Sequence, residues 1–275
     1  MDVEYSVPLT WIEQSLDALC VRYLRDWLEM PISACVSEMT SMPKRMAGLG
    51  IPTFKHLAQK LCLTKRYSLR ASANADIREL WSNSSNRHVV TDQLIVSHDS
   101  VAAATKTLKA DQLNSAVNHL FSLKVQGASV KCIIDNVSSR NTEAWSSTLD
   151  NLPAVFFNFA RKALIQVLPT AANLKRWNRV QDASCPLCAR GIPQTNKHVL
   201  SNCGSATALH RYTVRHNDIL SLLISWIKLN ISPNQLLYAD LLDENALPVC
   251  DLFCNCRPDL AVCDANSIHI LELTV

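Results

Sequence analysis

Cys185, Cys188, His198 and Cys203 lie within the stretch SCPLCARGIPQTNKHVLSNC, residues 184–203, in the spacing C-x2-C-x9-H-x4-C. Two thiolates three positions apart can grip one ion from a tight turn, which Pro186 stiffens. A His-x4-Cys pair on a short helix can close a tetrahedron. A Cys3His set suits Zn²⁺, at about 2.3 Å to sulfur and about 2.0–2.1 Å to nitrogen. Four protein ligands leave no open position for a substrate, so the expected site is structural. The competing reading is four unrelated buried side chains. Cys250, Cys254 and Cys256 are also close together but complete no second set, and we read them as buried or free thiols.

Basic aromatic segments flank the cluster. Upstream, Lys175, Arg176 and Arg179 surround Trp177; downstream, Arg211 and Arg215 bracket Tyr212 and His216 follows. Cations contact phosphates and exposed rings stack on unpaired bases, which points to DNA or RNA. A solvated helix face with its aromatics buried is the plainer alternative. From Val155 to Asn230 there are ten Lys and Arg against two Asp, and from Ile231 to Val275 one Arg against seven acids. A basic middle favours a polyanion, and the acidic end suits a cation or plain solvation.

A third constellation lies near the end. Arg257-Pro-Asp259 precedes the β-like run Leu260–Cys263, and Glu272 lies in the next, Ile268–Val275, with Asp-Ala-Asn-Ser between them. If the runs pair as a hairpin, both carboxylates reach one end and can share Mg²⁺, which activates water and stabilises charge on phosphate. Restriction-type nucleases carry a P-D…E pattern of this form, commonly with lysine two residues after the second acid; here that residue is Thr274. A β-like run that stops at Val275 reads as a fragment.

Helices carry these groups. Apolar residues recur at three- and four-residue steps over Leu16–Leu28, Leu57–Leu69, residues 101–126, Val155–Leu168 and Ile219–Ile227. In the second, Lys60, Lys65, Arg66 and Arg70 occupy the opposite side. Residues 82–100 are expected to form a loop. The expected fold is mainly α with a small C-terminal β element, an α+β chain in four parts: a helical region over 1–135, a polar linker over 136–151, a helical region with the knuckle over 152–230, and a β segment over 231–275. Only five glycines occur, two of them in Ala47-Gly-Leu-Gly-Ile-Pro52. The chain has 275 residues, 48% hydrophobic and 19% charged, which is globular composition. No apolar run approaches the ~20 residues of a membrane span and no signal peptide is evident, so an intracellular chain is expected. The eleven cysteines are then thiols or ligands rather than disulfides.

These motifs, in this order, resemble the C-terminal part of a non-LTR retrotransposon polyprotein of the site-specific type with a restriction-like endonuclease. Arg22–Pro31 and Ala47–Pro52 are similar to the thumb after the polymerase core, Cys185–Cys203 to the knuckle, Arg211–His216 to the stretch after it, and Arg257-Pro-Asp259 with Glu272 to the start of the nuclease. The resemblance implies zinc at the four knuckle residues, the nuclease metal at Asp259 and Glu272, Arg257 beside the phosphate, and nuclear residence. It also implies a polyprotein that is polymerase and endonuclease. This chain lacks the palm, having no Asp-Asp pair, and polymerisation by it alone is excluded.

Three functions follow as expectations. The first is a zinc-containing nucleic-acid binder that positions RNA or target DNA in target-primed reverse transcription. The alternatives are an active Mg²⁺-dependent endonuclease and a zinc-stabilised helical module that binds protein. None calls for a small-molecule substrate or a membrane.

Overall fold

The computed structural model describes residues 7–83, 94, 97–241, 244 and 258–273. It is mainly helical with one small antiparallel sheet near the C-terminus, as the sequence leads one to expect. The chain divides into two compact units, Met1–Leu168 and Pro169–Val275. Among the described residues, no helix is long and apolar enough to cross a membrane.

In the first unit, α1 (Ala18–Trp27) continues a helical stretch that begins at Leu9. It is followed by α2 (Val36–Ser41), α3 (Phe54–Arg70) and α4 (Ala75–Asn83). Thr53 caps α3 by accepting from the His56 amide at 3.1 Å, while the Asp17 carboxylate accepts from the amides of Phe54 and Lys55. An anion at the positive end of a helix is favourable. Helix α5 (Val101–Ser122) packs on α3 through Leu63, Tyr67, Ala104 and Leu108. The expected helix over Leu57–Leu69 therefore exists, but its covered stripe differs from the expected one: Leu57 and Leu61 are exposed, whereas His56, Leu63, Arg66 and Tyr67 are buried. Leu61 is outside the core that α3 forms with α5, and a periodic apolar residue with no opposing surface stays wet.

The polar stretch 136–151, expected to be a linker, is folded. Helix α6 (Gln126–Asn136) is followed by α7 (Ser139–Leu149), capped by the Ser138 hydroxyl. Ser146, fully buried, donates to the Lys44 carbonyl at 3.1 Å, and Lys44 pairs with Asp150. Polar residues here serve packing against the turn Lys44–Met46, so the break between units falls at Leu168 instead. Beyond that turn Gly48 is needed for close approach, since a Cβ there would lie 2.0 Å from the Met42 carbonyl oxygen. Helix α8 (Ala154–Leu164) completes the unit, and its buried Arg161 donates to the Ala47 carbonyl at 2.8 Å. Most of the expected 82–100 loop lies outside the described residues.

The second unit contains α9 (Ala171–Arg176), the cysteine-rich segment, and a long helix, α10 (Ala206–Asn230). The sheet order is β1 (Leu236–Ala239), β2 (Leu260–Cys263) and β3 (Ile268–Leu271), antiparallel throughout. Leu260 pairs with Leu271 and Cys263 with Ile268, the hairpin expected from the sequence. Strand β1 was not anticipated; its apolar run is too short to stand out from loop. Leu220 and Ile224 of α10 form one core with Leu237, Ala239 and Leu260. The expected boundary at residue 231 thus disappears, because helix and sheet share their apolar interior.

Candidate metal centre

The cysteine-rich segment is a small hairpin closed by a helical turn. The Cys185 amide donates to the Ile192 carbonyl at 2.9 Å, and the Gln194 amide to the Ala183 carbonyl at 2.8 Å. Gly191 turns the hairpin in the left-handed region, φ +65°, which glycine enters without strain. Thr195 accepts from the His198 amide at 3.2 Å and starts the turn His198–Asn202, which presents His198 and then Cys203.

The side chains of Cys185, Cys188, His198 and Cys203 converge, with their ligand atoms all within 4.8 Å of one another. The sulfurs of Cys185 and Cys203 are 3.9 Å apart, and Cys188 Sγ is 3.6 Å from His198 Nε2. Bonds of about 2.3 Å to a tetrahedral ion give ligand–ligand edges of about 3.8 Å. These separations are those of a Cys3His group that could hold a metal ion such as zinc. Among the described residues it is the one set of three or more such ligands that converges. Hydrogen bonding by the hydroxyl and amide of Ser205 brings the Cys203 thiol down to about 6, which favours the ligating thiolate. At Cys188 the Arg190 amide acts in the same direction, but burial and the sulfurs of Cys185 and Cys203 outweigh it and raise its pKa.

Helix α10 anchors this group. Ser205 caps it by accepting from the Ala208 amide at 3.2 Å, and its Oγ lies 3.5 Å from Cys203 Sγ. Further along α10, the Tyr212 hydroxyl accepts from the Cys203 amide at 3.2 Å. Its single proton has the Val199 carbonyl at 2.8 Å as nearest acceptor, ahead of the His198 carbonyl at 3.2 Å. Arg215 donates to the Leu200 carbonyl at 2.9 Å and lies over the Tyr212 ring. Sequence reasoning assigned Tyr212 and Arg215 to nucleic acid, and the structure places both against the turn that carries His198 and Cys203. It missed Thr195, Ser205 and the true length of α10; the Ser-x-x-Ala start after Cys203 was the available signal.

The remaining basic residues are placed differently. Lys175, Arg176, Arg179 and Arg211 are exposed, and Trp177 is half-buried. Gln194 ties α9 to the hairpin, its side chain accepting from the Ala171 amide at 2.8 Å and its carbonyl from the Ala172 amide at 3.3 Å. Lys175 and Arg176 thus stand on a helix whose start is bonded to the hairpin. Arg190 and Lys197, which the sequence reading passed over, are exposed as well, and so is His210 at the start of the downstream basic segment.

Asp259 and Glu272 come to the same end of the β2–β3 hairpin, one residue outside the paired Leu260 and Leu271. Asp259 is already engaged: one oxygen is 3.1 Å from His216 Nε2, and the other accepts from the Leu273 amide at 2.6 Å. Glu272 is exposed. Arg257, Thr274 and Cys250, Cys254 and Cys256 lie outside the described residues. Burial works against a charged His216, but its hydrogen bonds to Asn217 and Asp259 prevail and raise its pKa. His216, assigned to nucleic acid from the sequence, thus pins α10 to the start of β2.

No protein-family model matches this chain, and no curated protein matches it.

Proposed function

We propose that the chain holds one zinc ion at Cys185, Cys188, His198 and Cys203 and binds nucleic acid with the exposed cations around it. On the resemblance drawn from its motifs, it is the C-terminal part of a retrotransposon polyprotein that positions RNA or target DNA for reverse transcription in the nucleus. The observation that supports this reading is the attachment of α9, which carries the exposed Lys175 and Arg176, to the cysteine-rich hairpin through Gln194. Zinc, when bound, supplies a crosslink and no reactive position, since all four ligands come from the protein. The chain's own residues do the binding: lysine and arginine meet phosphates, and Trp177 offers part of a ring for stacking. Nicking by Mg²⁺ at Asp259 and Glu272 finds no such support, because both Asp259 oxygens already have protein partners.

Fluorescence anisotropy with labelled single-stranded RNA and duplex DNA across a salt series tests the proposal. Four phosphate contacts from Lys175, Arg176, Arg179 and Arg211 give a log–log salt slope of roughly −3 for a single strand. Cys185→Ser should weaken binding. Affinity indifferent to salt, or unchanged in Cys185→Ser, would overturn it. A second reading has one observation in its favour: Leu222, Trp226 and Leu229 form an exposed apolar stripe on α10, 71%, 64% and 84% accessible. A protein partner captured there, insensitive to salt and with no nucleic acid bound, would make the chain an interaction module.

A further inference from the structure

A cleft of about 640 Å³ lies within the first unit, lined in part by Arg45, His56, Lys60, Thr105, Lys106 and Lys109. Its four cations come from separate places: Arg45 from the turn before Gly48, Lys60 from α3, and Lys106 and Lys109 from α5. No acidic residue is among its described lining. Among the described residues, none of these four cations has an ion-pair partner. Some other cations of this unit are matched, as Lys55 is by Glu13 and Lys162 by Glu29. Like charges gathered without a counterion repel one another, so the arrangement is favourable when an anion sits among them.

Two further observations concern polar atoms. His56 is 8% exposed, and its Nδ1 is shut off from solvent with no hydrogen-bond partner. The Thr105 hydroxyl oxygen is in the same condition. Both residues line the cleft. Buried polar atoms are nearly always bonded, and orphans grouped at one cavity call for a missing partner. Burial first, then Lys109 and Lys60, lower the pKa of His56. A neutral imidazole carries one N–H, which His56 can offer from Nδ1, and Thr105 has a hydroxyl proton to give.

The neighbouring cavity supplies the contrast. It measures about 900 Å³, also touches His56, and carries Glu13, Asp17, Glu38 and Asp111. Glu13, Asp17 and Glu38 are bonded to Lys55, to backbone amides and to His119 respectively. In that cavity Lys55 and His119 meet carboxylates, whereas no carboxylate is among the described lining of the basic cleft.

We propose that the cleft between α3 and α5 binds a phosphate group, with Arg45, Lys60, Lys106 and Lys109 balancing its charge and His56 and Thr105 donating hydrogen bonds. Its volume suits a nucleotide-sized ligand. The phosphate comes either from a free phosphoanhydride or from the backbone of a nucleic-acid strand, the recognition chemistry being the same. This site does not depend on the metal centre.

The test is calorimetric titration of the full zinc-loaded chain with inorganic pyrophosphate and, separately, with a short single-stranded oligonucleotide. The ¹⁵N signals of the His56 ring are followed during each titration. Lys60→Gln with Lys109→Gln changes two exposed side chains, and Lys124→Gln with Lys131→Gln, also exposed and outside the cleft, serves as a charge-matched control. Saturable binding that shifts the His56 signals is expected, weakened at least tenfold in the double variant and unchanged in the control. Pyrophosphate that displaces the oligonucleotide from the cleft assigns the site to a strand's backbone. Pyrophosphate binding alone assigns it to a free phosphoanhydride. Either supports the proposal. Absence of saturable binding by both probes, equal affinity in the double variant, or unmoved His56 signals overturns it. The result stands apart from the metal reading, because Cys185→Ser should leave the pyrophosphate affinity as it was.

Discussion

The amide of Cys203 donates to the hydroxyl oxygen of Tyr212 across 3.2 Å, so the last metal-ligand candidate hangs from the helix that follows it. The same helix carries Leu220 and Ile224 into the core of the sheet. One continuous α10 therefore fixes the cysteine group at one end and β1–β2 at the other.

Tyr212→Phe keeps the ring and removes this bond. The amide of Cys203 loses its partner, and the turn that presents His198 and Cys203 loosens. Removing an outer-shell hydrogen bond of this kind typically costs about 10–100-fold in metal affinity. Competition against a chromophoric zinc chelator reads the change directly, and equal affinity would detach Tyr212 from the site.

Native mass spectrometry of the chain should give one zinc per molecule at neutral pH and none after acidification. Cysteine ligates as thiolate, so protons compete with the ion. With the Cys203 thiol at about 6, the apo group already holds one thiolate at pH 7 and loses it as the pH falls below that value. Zinc affinity should accordingly drop more steeply below about pH 6 than above it. A metal-free chain at pH 7, supplied with zinc, would remove the centre.

Arg161 has no exposed side-chain surface, bonds the Ala47 carbonyl and lies over the Phe157 ring. Its Nη2 is 3.7 Å from Asp150. Arg161→Met retains much of the apolar stem while leaving that carbonyl unbonded. Urea unfolding should register a loss of about 2–4 kcal/mol. A midpoint within error of the parent chain would show that the guanidinium holds nothing together.

The His216–Asp259 pair makes a pH-dependent contribution with a definite sign. The folded-state pKa of His216 is raised above its ordinary 6.5. The pair's stabilisation is therefore full below 6.5 and is lost as the pH rises through the folded value. His56 has the opposite sign: its pKa is lowered, so its contribution is present above 6.5 and falls away as the pH drops. Denaturation of His216→Asn beside the parent chain should show a stability gap that closes on going alkaline. A gap that widened instead would reverse the assignment.

Much of the helical architecture was legible in the sequence. Apolar steps of three and four located α1, α3, α5, α8 and the middle of α10, and a turn-forming Asp-Ala-Asn-Ser between two β-like runs located the hairpin. Periodicity failed on which stripe becomes covered. Val155, Phe156 and Phe159 are apolar at helical spacing yet exposed, whereas Arg161 on the same helix is wholly buried. Amphipathic pattern records what can be buried, and the opposing surface settles what is. The segment 136–151 failed differently: polar residues whose hydrogen bonds are made inside the protein look the same, in one dimension, as residues solvated in a linker.

The sequence by itself determined the candidate ligand set, because thiolate and imidazole chemistry is a property of residue type and the spacing within twenty residues limits how far apart those groups can be. It could not tell which nearby cations are free for a partner and which are engaged. Arg211 and Arg215 are one helical turn apart, but only Arg215 faces the Leu200 carbonyl. Nor could it bring Arg45, Lys60 and Lys109 to one cleft, since contacts between segments that distant in the chain exist only after α3 and α5 have packed.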